Sequence, residues 1–267
     1  MVFALNSYTE LPCPPDVRAA LIVGHPGHEL RIHGWLESVR PTVFVLTDGS
    51  GRTGCSRLES TKHIVTQANA ECGNVFGLFA DAELYEMLLC KEHQRLIELA
   101  EELALQLASK KINFILGDSA EGYNPSHDLC RLLIDAAVSQ LEYPVTNLAF
   151  PLVDAPDAAR RYGSNTVYRY DLDDLAFARK MFAAESYHEL ASEFENAISR
   201  YGREPFRQEF FATSDESAFS YGCAANPWYE EYGAAQVRAG HYQHAIQYRE
   251  HMLPLAQALK QPIRVVA

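Results

Sequence analysis

Apolar residues form short uninterrupted runs between polar turns in the first 150 residues, and stretches with apolar residues every three or four positions separate these runs. The short runs predict buried strands, whereas the wider spacing predicts amphipathic helices. Such alternation is typical of βα units that build a mostly parallel sheet. The predicted strands are at 19–24, 42–47, 74–79, 112–117 and 147–152, and the clearest predicted helices are at 86–111 and 127–142.

The pattern changes after residue 150, where a turn-rich connection interrupts the alternation. The later predicted elements are a strand at 166–172, a helix at 173–202, a strand at 206–212 and a helical segment at 241–260. Pro254 must end or kink the last of these, because proline has no backbone N–H to donate. We therefore predict a Rossmann-like α/β core over residues 1–150 and a C-terminal α+β extension over residues 151–267 that packs on or caps the core.

Composition narrows the function classes. The chain of 267 residues is 48% hydrophobic, which is enough for a large core without disulfides. Its six scattered cysteines predict reduced thiols and a cytoplasmic protein. A net charge of -12 argues against a nucleic-acid partner, and no apolar run is long enough to span a membrane. We expect a small-molecule substrate and leave open a homo-oligomer.

Polar clusters follow three of the predicted strands. His25 and His28 come after the first strand, Asp48 after the second, and a segment ending in His127 after the fourth. Because parallel strands bring their carboxyl ends to one edge of a sheet, the three imidazoles are expected to converge. Three imidazole ligands with an open fourth position are typical of catalytic zinc. The alternative is that these histidines only open helices or lie in solvent.

Four stretches carry a family resemblance: LIVGHPGHE, VFVLTDGSG, SRLES and YNPSHDLCRLLIDAA. In order and spacing they resemble the motifs of the LmbE-like, or PIG-L, superfamily of N-acetylglucosaminyl deacetylases, over about residues 18–140. The resemblance implies a Rossmann-like core, a zinc or other divalent transition-metal ion, and removal of an N-acyl group from an amino-sugar-like substrate by metal-activated water. It assigns His25, His28 and His127 as the metal ligands.

The chain departs from this family pattern at three positions. Gly27 stands where the family has the aspartate that acts as general base, and His28 stands where it has a ligand aspartate. Asn124 replaces the first histidine of the later motif, and we expect it to polarise the substrate carbonyl. The metal-binding residues are therefore expected to be retained while the proton-transfer groups have changed.

Other residues are candidates for the missing base and for substrate binding. We predict Asp48 or Glu121 as the catalytic base, although Asp48 also fits a turn-ordering role and Glu121 a solvated loop. Arg57 is predicted to bind substrate, with an ion pair to Glu59 as the alternative. Glu29 is expected to accept a ring N–H from a ligand histidine.

The preferred hypothesis is a zinc-dependent amide hydrolase that deacetylates an amino-sugar-like substrate. A three-histidine site also suits iron or another transition ion with different chemistry, and a metal-binding protein without turnover is the non-enzyme alternative. Two later features stay outside this hypothesis. His241, His244 and His251 are predicted to line a partly exposed helix face, and the aromatic residues Phe219, Tyr221, Trp228, Tyr229 and Tyr232 suit either sugar stacking or packing.

Overall fold

A computed structural model describes residues 9–10, 17–51, 54–157, 167–213 and 226–260. Its strands, in chain order, are β1 (Thr9–Glu10), β2 (Ala19–Val23), β3 (Thr42–Thr47), β4 (Glu71–Phe79), β5 (Phe114–Asp118), β6 (Thr146–Phe150), β7 (Val167–Asp171) and β8 (Gln208–Thr213). Its α-helices are α1 (His33–Val39), α2 (Leu58–Gln67), α3 (Asp81–Leu89), α4 (His93–Ser109), α5 (Pro125–Ser139), α6 (Asp174–Ser186), α7 (Ala191–Tyr201), α8 (Trp228–Arg238) and α9 (Leu253–Leu259).

All eight strands belong to one sheet, in the order β1-β7-β8-β6-β5-β2-β3-β4. The five strands from β6 to β4 in that order run parallel, and β8 is antiparallel to both β6 and β7. The predicted α/β class with a mostly parallel sheet is therefore confirmed. The strands of the predicted extension, β7 and β8, continue the core sheet. The division of the chain into two domains at residue 150 stays a prediction.

Alternate residues of the central strands pack against helices on opposite faces of the sheet, as strand geometry requires. Ala20 and Ile22 of β2 contact a cluster that includes α4, α5 and α9, whereas Leu21 and Val23 contact a cluster that includes α1 and Tyr187. The helices that follow β2 and β5 thus lie on different faces. When the helices after two neighbouring parallel strands lie on opposite faces of the sheet, a crevice forms at the carboxyl ends of these strands. Ligands of α/β proteins bind in this crevice. His25 and His28 follow β2, and His127 follows β5.

Several predicted helices have different bounds in the structure. The predicted helix at 86–111 is two helices, α3 and α4, which are separated at Lys91 by a backbone φ of 56°. The predicted helix at 173–202 is likewise divided into α6 and α7 near Tyr187. Neither break carries a glycine or a proline, so the sequence gives no local signal for it. Pro254 lies in the first turn of α9, where a missing N–H costs nothing.

The late histidines and aromatic residues are only partly as predicted. His241 and His244 are exposed but lie outside any helix, and His251 is buried in a short π-helical turn, Tyr248–Met252, so the predicted exposed helix face is wrong. Of the aromatic residues named from the sequence, Trp228, Tyr229 and Tyr232 lie in helix α8, while Phe219 and Tyr221 lie outside the described residues. None of the described helices combines the length and apolar character that a membrane span requires.

A buried ion pair connects the two halves of the chain. The Glu209 carboxylate of β8 accepts hydrogen bonds from Lys180 Nζ (2.9 Å), Gly34 N (2.8 Å) and Trp35 N (2.9 Å). Lys180 also donates to the carbonyl of Arg31 at 2.7 Å. Glu209 therefore neutralises a buried ammonium group and satisfies two free N–H groups in the first turn of α1.

Candidate functional site

Three imidazole rings meet at the carboxyl ends of β2 and β5. The ring centroids of His25 and His28 are 5.3 Å apart, those of His25 and His127 are 5.4 Å apart, and those of His28 and His127 are 4.7 Å apart. Rings that share one tetrahedral ion through nitrogen bonds of about 2.1 Å have centroids about 5 Å apart. The structure therefore brings together the three histidines that the sequence predicts to converge.

The His25 ring is oriented by groups that follow two neighbouring strands. Its Nδ1 lies 2.8 Å from Thr47 Oγ1, at the end of β3, and 3.0 Å from Asp81 Oδ1, in the first turn of α3. Since Thr47 donates its own hydroxyl hydrogen to the carbonyl of Gly24, its oxygen accepts from the ring. Both contacts favour the tautomer with the proton on Nδ1, which leaves Nε2 with a free lone pair.

The His28 ring is held by a buried carboxylate. Its Nδ1 lies 2.9 and 3.0 Å from the two oxygens of Asp118, the last residue of β5. One of these oxygens also accepts the backbone N–H of Gly24 at 2.7 Å. Asp118 therefore connects the two central strands at their ends and leaves Nε2 of His28 unprotonated.

The third ring lies in the first turn of α5. Asn124 caps this helix: its Oδ1 accepts the backbone N–H of Ser126 at 2.9 Å, and Pro125 suits the first helical position. With the amide oxygen engaged in this way, the Asn124 NH2 group is the part of the side chain left to donate. The cap fixes the start of α5, and His127 follows in the buried crevice.

Burial favours the neutral form of two of the three imidazoles. It lowers the pKa of His28 below the ordinary value, although Asp118 acts in the opposite direction. It lowers the pKa of His127 further, assisted by the neighbouring rings and by Arg57. Burial alone would raise the pKa of Asp81, but the hydrogen bond from His25 holds it below the ordinary value. Neutral imidazoles are the form that binds metal.

The cluster has the donor atoms of a metal centre but is not a preformed one. His25 Nε2 and His127 Nδ1 are buried and have no hydrogen-bond partner within the part of the chain that the structure describes. Buried polar atoms without partners are costly, and a cation would satisfy them. No group of three or more His, Cys, Asp and Glu residues among the described residues could hold a metal ion as the side chains stand. The imidazole nitrogens are suitable metal ligands, but the rings must change position to hold an ion.

The two predicted bases have other contacts in the structure. Asp48 Oδ1 accepts the N–H of Ser50 at 2.9 Å, which is the turn-ordering role that its sequence context also allows. The Glu121 carboxylate binds the backbone N–H groups of Leu152 and Val153 at 3.0 and 3.1 Å. It is therefore not a solvated loop residue. Neither carboxylate has a hydrogen bond to the imidazole rings among the described contacts.

Arg57 lies beside the imidazole cluster. Its Nε donates to the carbonyl of Gly49 at 2.6 Å, and its positive charge contributes to the lowered pKa values of His28 and His127. No ion pair to Glu59 occurs within the described ranges. A half-buried guanidinium at this edge of the sheet is placed to meet an anionic or carbonyl group of a ligand.

The expected role of Glu29 is wrong. Its carboxylate accepts hydrogen bonds from the backbone N–H of Gly27 (2.8 Å) and from the hydroxyl of Thr61 (2.7 Å), not from an imidazole. Thr61 Oγ1 in turn lies 2.9 Å from the hydroxyl of Tyr187. Glu29 thus supports the backbone between His25 and His28, and only indirectly the rings.

Gly27 lies where a side chain does not fit. Its backbone φ of 103° is in the left-handed region that disfavours residues with a Cβ. A Cβ built on it would overlap Cδ1 of Leu190, from the segment between α6 and α7. The extension therefore fills the space that a side chain at position 27 would need.

Replacing Gly27 by aspartate is expected to lower the free energy of unfolding by about 1–3 kcal/mol, because the backbone strain adds to the overlap with Leu190. Urea denaturation followed by circular dichroism measures the change. Gly240→Asp is the matched control, because Gly240 has a φ of 76° and no atoms within 4 Å of the place that a Cβ would occupy. Adding Leu190→Ala to Gly27→Asp should recover part of the loss; unchanged stability of Gly27→Asp would contradict this packing.

Sequence reasoning missed the residues that orient the imidazoles. Thr47 ends a predicted strand and Asp118 directly follows another, but their contacts depend on which strands are neighbours. The predicted helix starts at 86 and leaves Asp81 outside it, whereas α3 begins at Asp81 itself. An acidic residue in the first turn of a helix at the carboxyl edge of a parallel sheet is the signal that could have identified it.

The fold is similar to those of two deacetylases of known structure. The A40926 pseudoaglycone deacetylase Dbv21 has a TM-score of 0.52 at 16% identity, with 74% of this chain and 96% of that chain covered. The zinc-inhibited form of teicoplanin deacetylase Orf2 has a TM-score of 0.54 at 13% identity, with coverage of 75% and 100%. No protein-family model and no curated protein sequence matches the chain. The fold that the motif resemblance implies is thereby confirmed.

Proposed function

We propose, starting from the fold shared with these deacetylases, that the chain is a divalent-metal-dependent hydrolase that removes an N-acyl group from an amino-sugar-like substrate. The convergence of His25, His28 and His127 at the crevice between β2 and β5 is the observation that carries this proposal. His25 Nε2 and His127 Nδ1, which have no partner among the described residues, support it. Among the similar structures, one deacetylase has a zinc-inhibited form, so zinc is tested beside other divalent ions.

The three histidines would hold the ion, which when bound supplies a Lewis acid that polarises an amide carbonyl and lowers the pKa of water. Asp118 and Asp81 keep the ring protons on Nδ1, so that the Nε2 atoms of His28 and His25 are free to bind. Their carboxylates also lie behind the ligand set, and that of Asp118 is fully buried.

The other proposed roles concern the substrate. The NH2 group of Asn124 donates a hydrogen bond to the carbonyl oxygen of the N-acyl group, where negative charge develops during hydrolysis. The guanidinium of Arg57 binds a polar group of the same substrate. Asp48 is proposed as the proton acceptor and Glu121 as the less favoured candidate, because the Glu121 carboxylate already binds two backbone N–H groups.

Metal analysis and acetate release from a panel of N-acetylated amino sugars test the proposal. We expect the purified protein to contain about one transition-metal ion, and chelation to remove both the ion and the release of acetate. Zinc, cobalt, nickel, manganese and iron(II) are added back in turn. Asp48→Asn and Glu121→Gln, each compared with the surface variant Asp174→Asn, identify the base by the loss of kcat. Acetate release that survives complete removal of metal would overturn the proposal.

A metal-binding protein without hydrolysis is the second candidate. The packing of Leu190 against Gly27 favours it, because no carboxylate can occupy position 27 without rearrangement. Hydrogen bonds that hold Asp48 and Glu121 elsewhere favour it as well. Bound metal without acetate release from any member of the panel is the result expected from this candidate.

A further inference from the structure

Three aromatic rings form a stack at the loop that leads into α5. The ring centroids of Tyr123 and Trp228 are 4.5 Å apart and the rings are parallel within 5°; those of Trp228 and Tyr232 are 4.9 Å apart at 23°. Trp228 stacks with both tyrosines, and 45% of this residue is exposed. Tyr123 has one face against Trp228, yet 43% of the residue is exposed. The outer face of Tyr123, which is turned away from Trp228, is therefore available to a ligand.

The stack is joined to the loop that begins α5. Tyr123 directly precedes Asn124, and the carbonyl of Gly122 accepts the backbone N–H of Tyr229 at 3.2 Å. The buried carboxylate of Asp128 accepts the N–H groups of Glu121 and Gly122 at 3.0 and 3.1 Å. Together with the hydrogen bond from Ser126 N to Asn124 Oδ1, these bonds fix the backbone on both sides of Tyr123. The exposed ring is thus held in place beside the proposed catalytic loop.

A preordered aromatic face at the edge of a polar crevice fits a ligand with one flat apolar side. Stacking loses little side-chain entropy here, because Trp228 and the fixed backbone already restrict the Tyr123 ring. The C–H face of a pyranose ring matches this surface. A nucleotide fits less well, because the first turn of α8 carries Glu230 and Glu231, whose charges disfavour phosphate groups.

We propose that the outer face of Tyr123 is a subsite for a pyranose ring of an N-acylated oligosaccharide, one sugar unit away from the unit whose N-acyl group meets the imidazole cluster. The identity of that reacting unit rests on the proposed function, whereas binding to Tyr123 does not require turnover. Trp228 and Tyr232 act as positioning residues that hold the Tyr123 ring. The subsite predicts that a disaccharide binds more tightly than a monosaccharide.

Calorimetric titration with N-acetylglucosamine and N,N′-diacetylchitobiose tests the subsite. The purified protein and chelator-treated protein are both titrated, so that hydrolysis does not obscure binding. Tyr123→Ala is expected to weaken diacetylchitobiose binding about fivefold and to leave the monosaccharide nearly unchanged. Tyr123→Phe keeps the ring and should retain most of the affinity. Phe182→Ala, which removes an exposed aromatic ring from α6, is the matched control.

The outcomes separate the two proposals. The subsite is supported when the disaccharide binds more tightly than the monosaccharide and Tyr123→Ala abolishes this difference. This holds even when no acetate is released and the proposed hydrolysis fails. Acetate release in which Tyr123→Ala leaves the KM for diacetylchitobiose unchanged supports the hydrolase and overturns the subsite. Equal affinity for the two sugars, or no binding of diacetylchitobiose, also overturns it. Circular dichroism of each variant confirms that altered binding does not come from unfolding.

Discussion

Glu209→Ala is expected to lower the free energy of unfolding by about 3–5 kcal/mol, because it leaves a buried charge without its partner. Burial lowers the pKa of Lys180, and Glu209 opposes that shift by stabilising the ammonium form. Without the carboxylate, Lys180 keeps only the carbonyl of Arg31, and two N–H groups of α1 lose their acceptor. One substitution thus disturbs α1, α6 and β8 together.

Urea denaturation followed by circular dichroism measures this effect. Lys180→Met should cost less than Glu209→Ala, since the carboxylate then keeps its two hydrogen bonds to the first turn of α1. Arg179→Ala is the matched control: the neighbouring Arg179 forms an exposed ion pair with Glu37 at 2.9 Å, and its loss should cost at most about 1 kcal/mol. A loss below about 1 kcal/mol for Glu209→Ala would contradict the role assigned to the buried pair.

Asp118→Asn is expected to weaken metal binding about 10- to 100-fold, because the amide reverses the tautomer of His28. The Asn oxygen can still accept the N–H of Gly24, which leaves its NH2 group facing Nδ1 of His28. Nδ1 must then act as the acceptor, and the proton moves to Nε2. A protonated Nε2 has no lone pair for a cation, so the variant loses a ligand while keeping nearly the same volume.

Competition with a chromophoric chelator measures zinc and cobalt affinity, and nitrogen NMR of the imidazoles reports the tautomer. Asp81→Asn should have a smaller effect, because Thr47 Oγ1 remains as an acceptor for Nδ1 of His25. Asp174→Asn, on the surface of α6, is the control and should bind metal like the unmodified chain. Unchanged affinity in Asp118→Asn, with the proton still on Nδ1, would show that Asp118 does not set the tautomer.

The central strands and α5 could be predicted from the sequence because their signals are local. Each central strand is a run of buried apolar residues between turn residues, and α5 has its cap and proline in the expected order. The division between α3 and α4 could not be predicted. Lys91 adopts a left-handed backbone there, although lysine is not a residue that signals such a conformation.

The candidate site shows the same difference between local and long-range information. Parallel strand ends meet at one edge, so the convergence of His25, His28 and His127 follows from predicted strands alone. The carboxylates behind the rings depend on strand order: Asp118 reaches His28 because β5 is next to β2. The role expected of Glu29 is wrong because proximity in sequence to the histidines does not fix the direction of its side chain.

The position of β8 between β6 and β7 has a consequence for the growing chain on the ribosome. β6 is complete at Phe150, but its antiparallel neighbour starts only at Gln208, about 60 residues later, which corresponds to roughly 3–12 s of synthesis. Leu148 and Phe150, both buried in the finished protein, lie on an unpaired strand edge during that interval. Nascent chains are therefore exposed to intermolecular strand pairing at this edge until β8 is made.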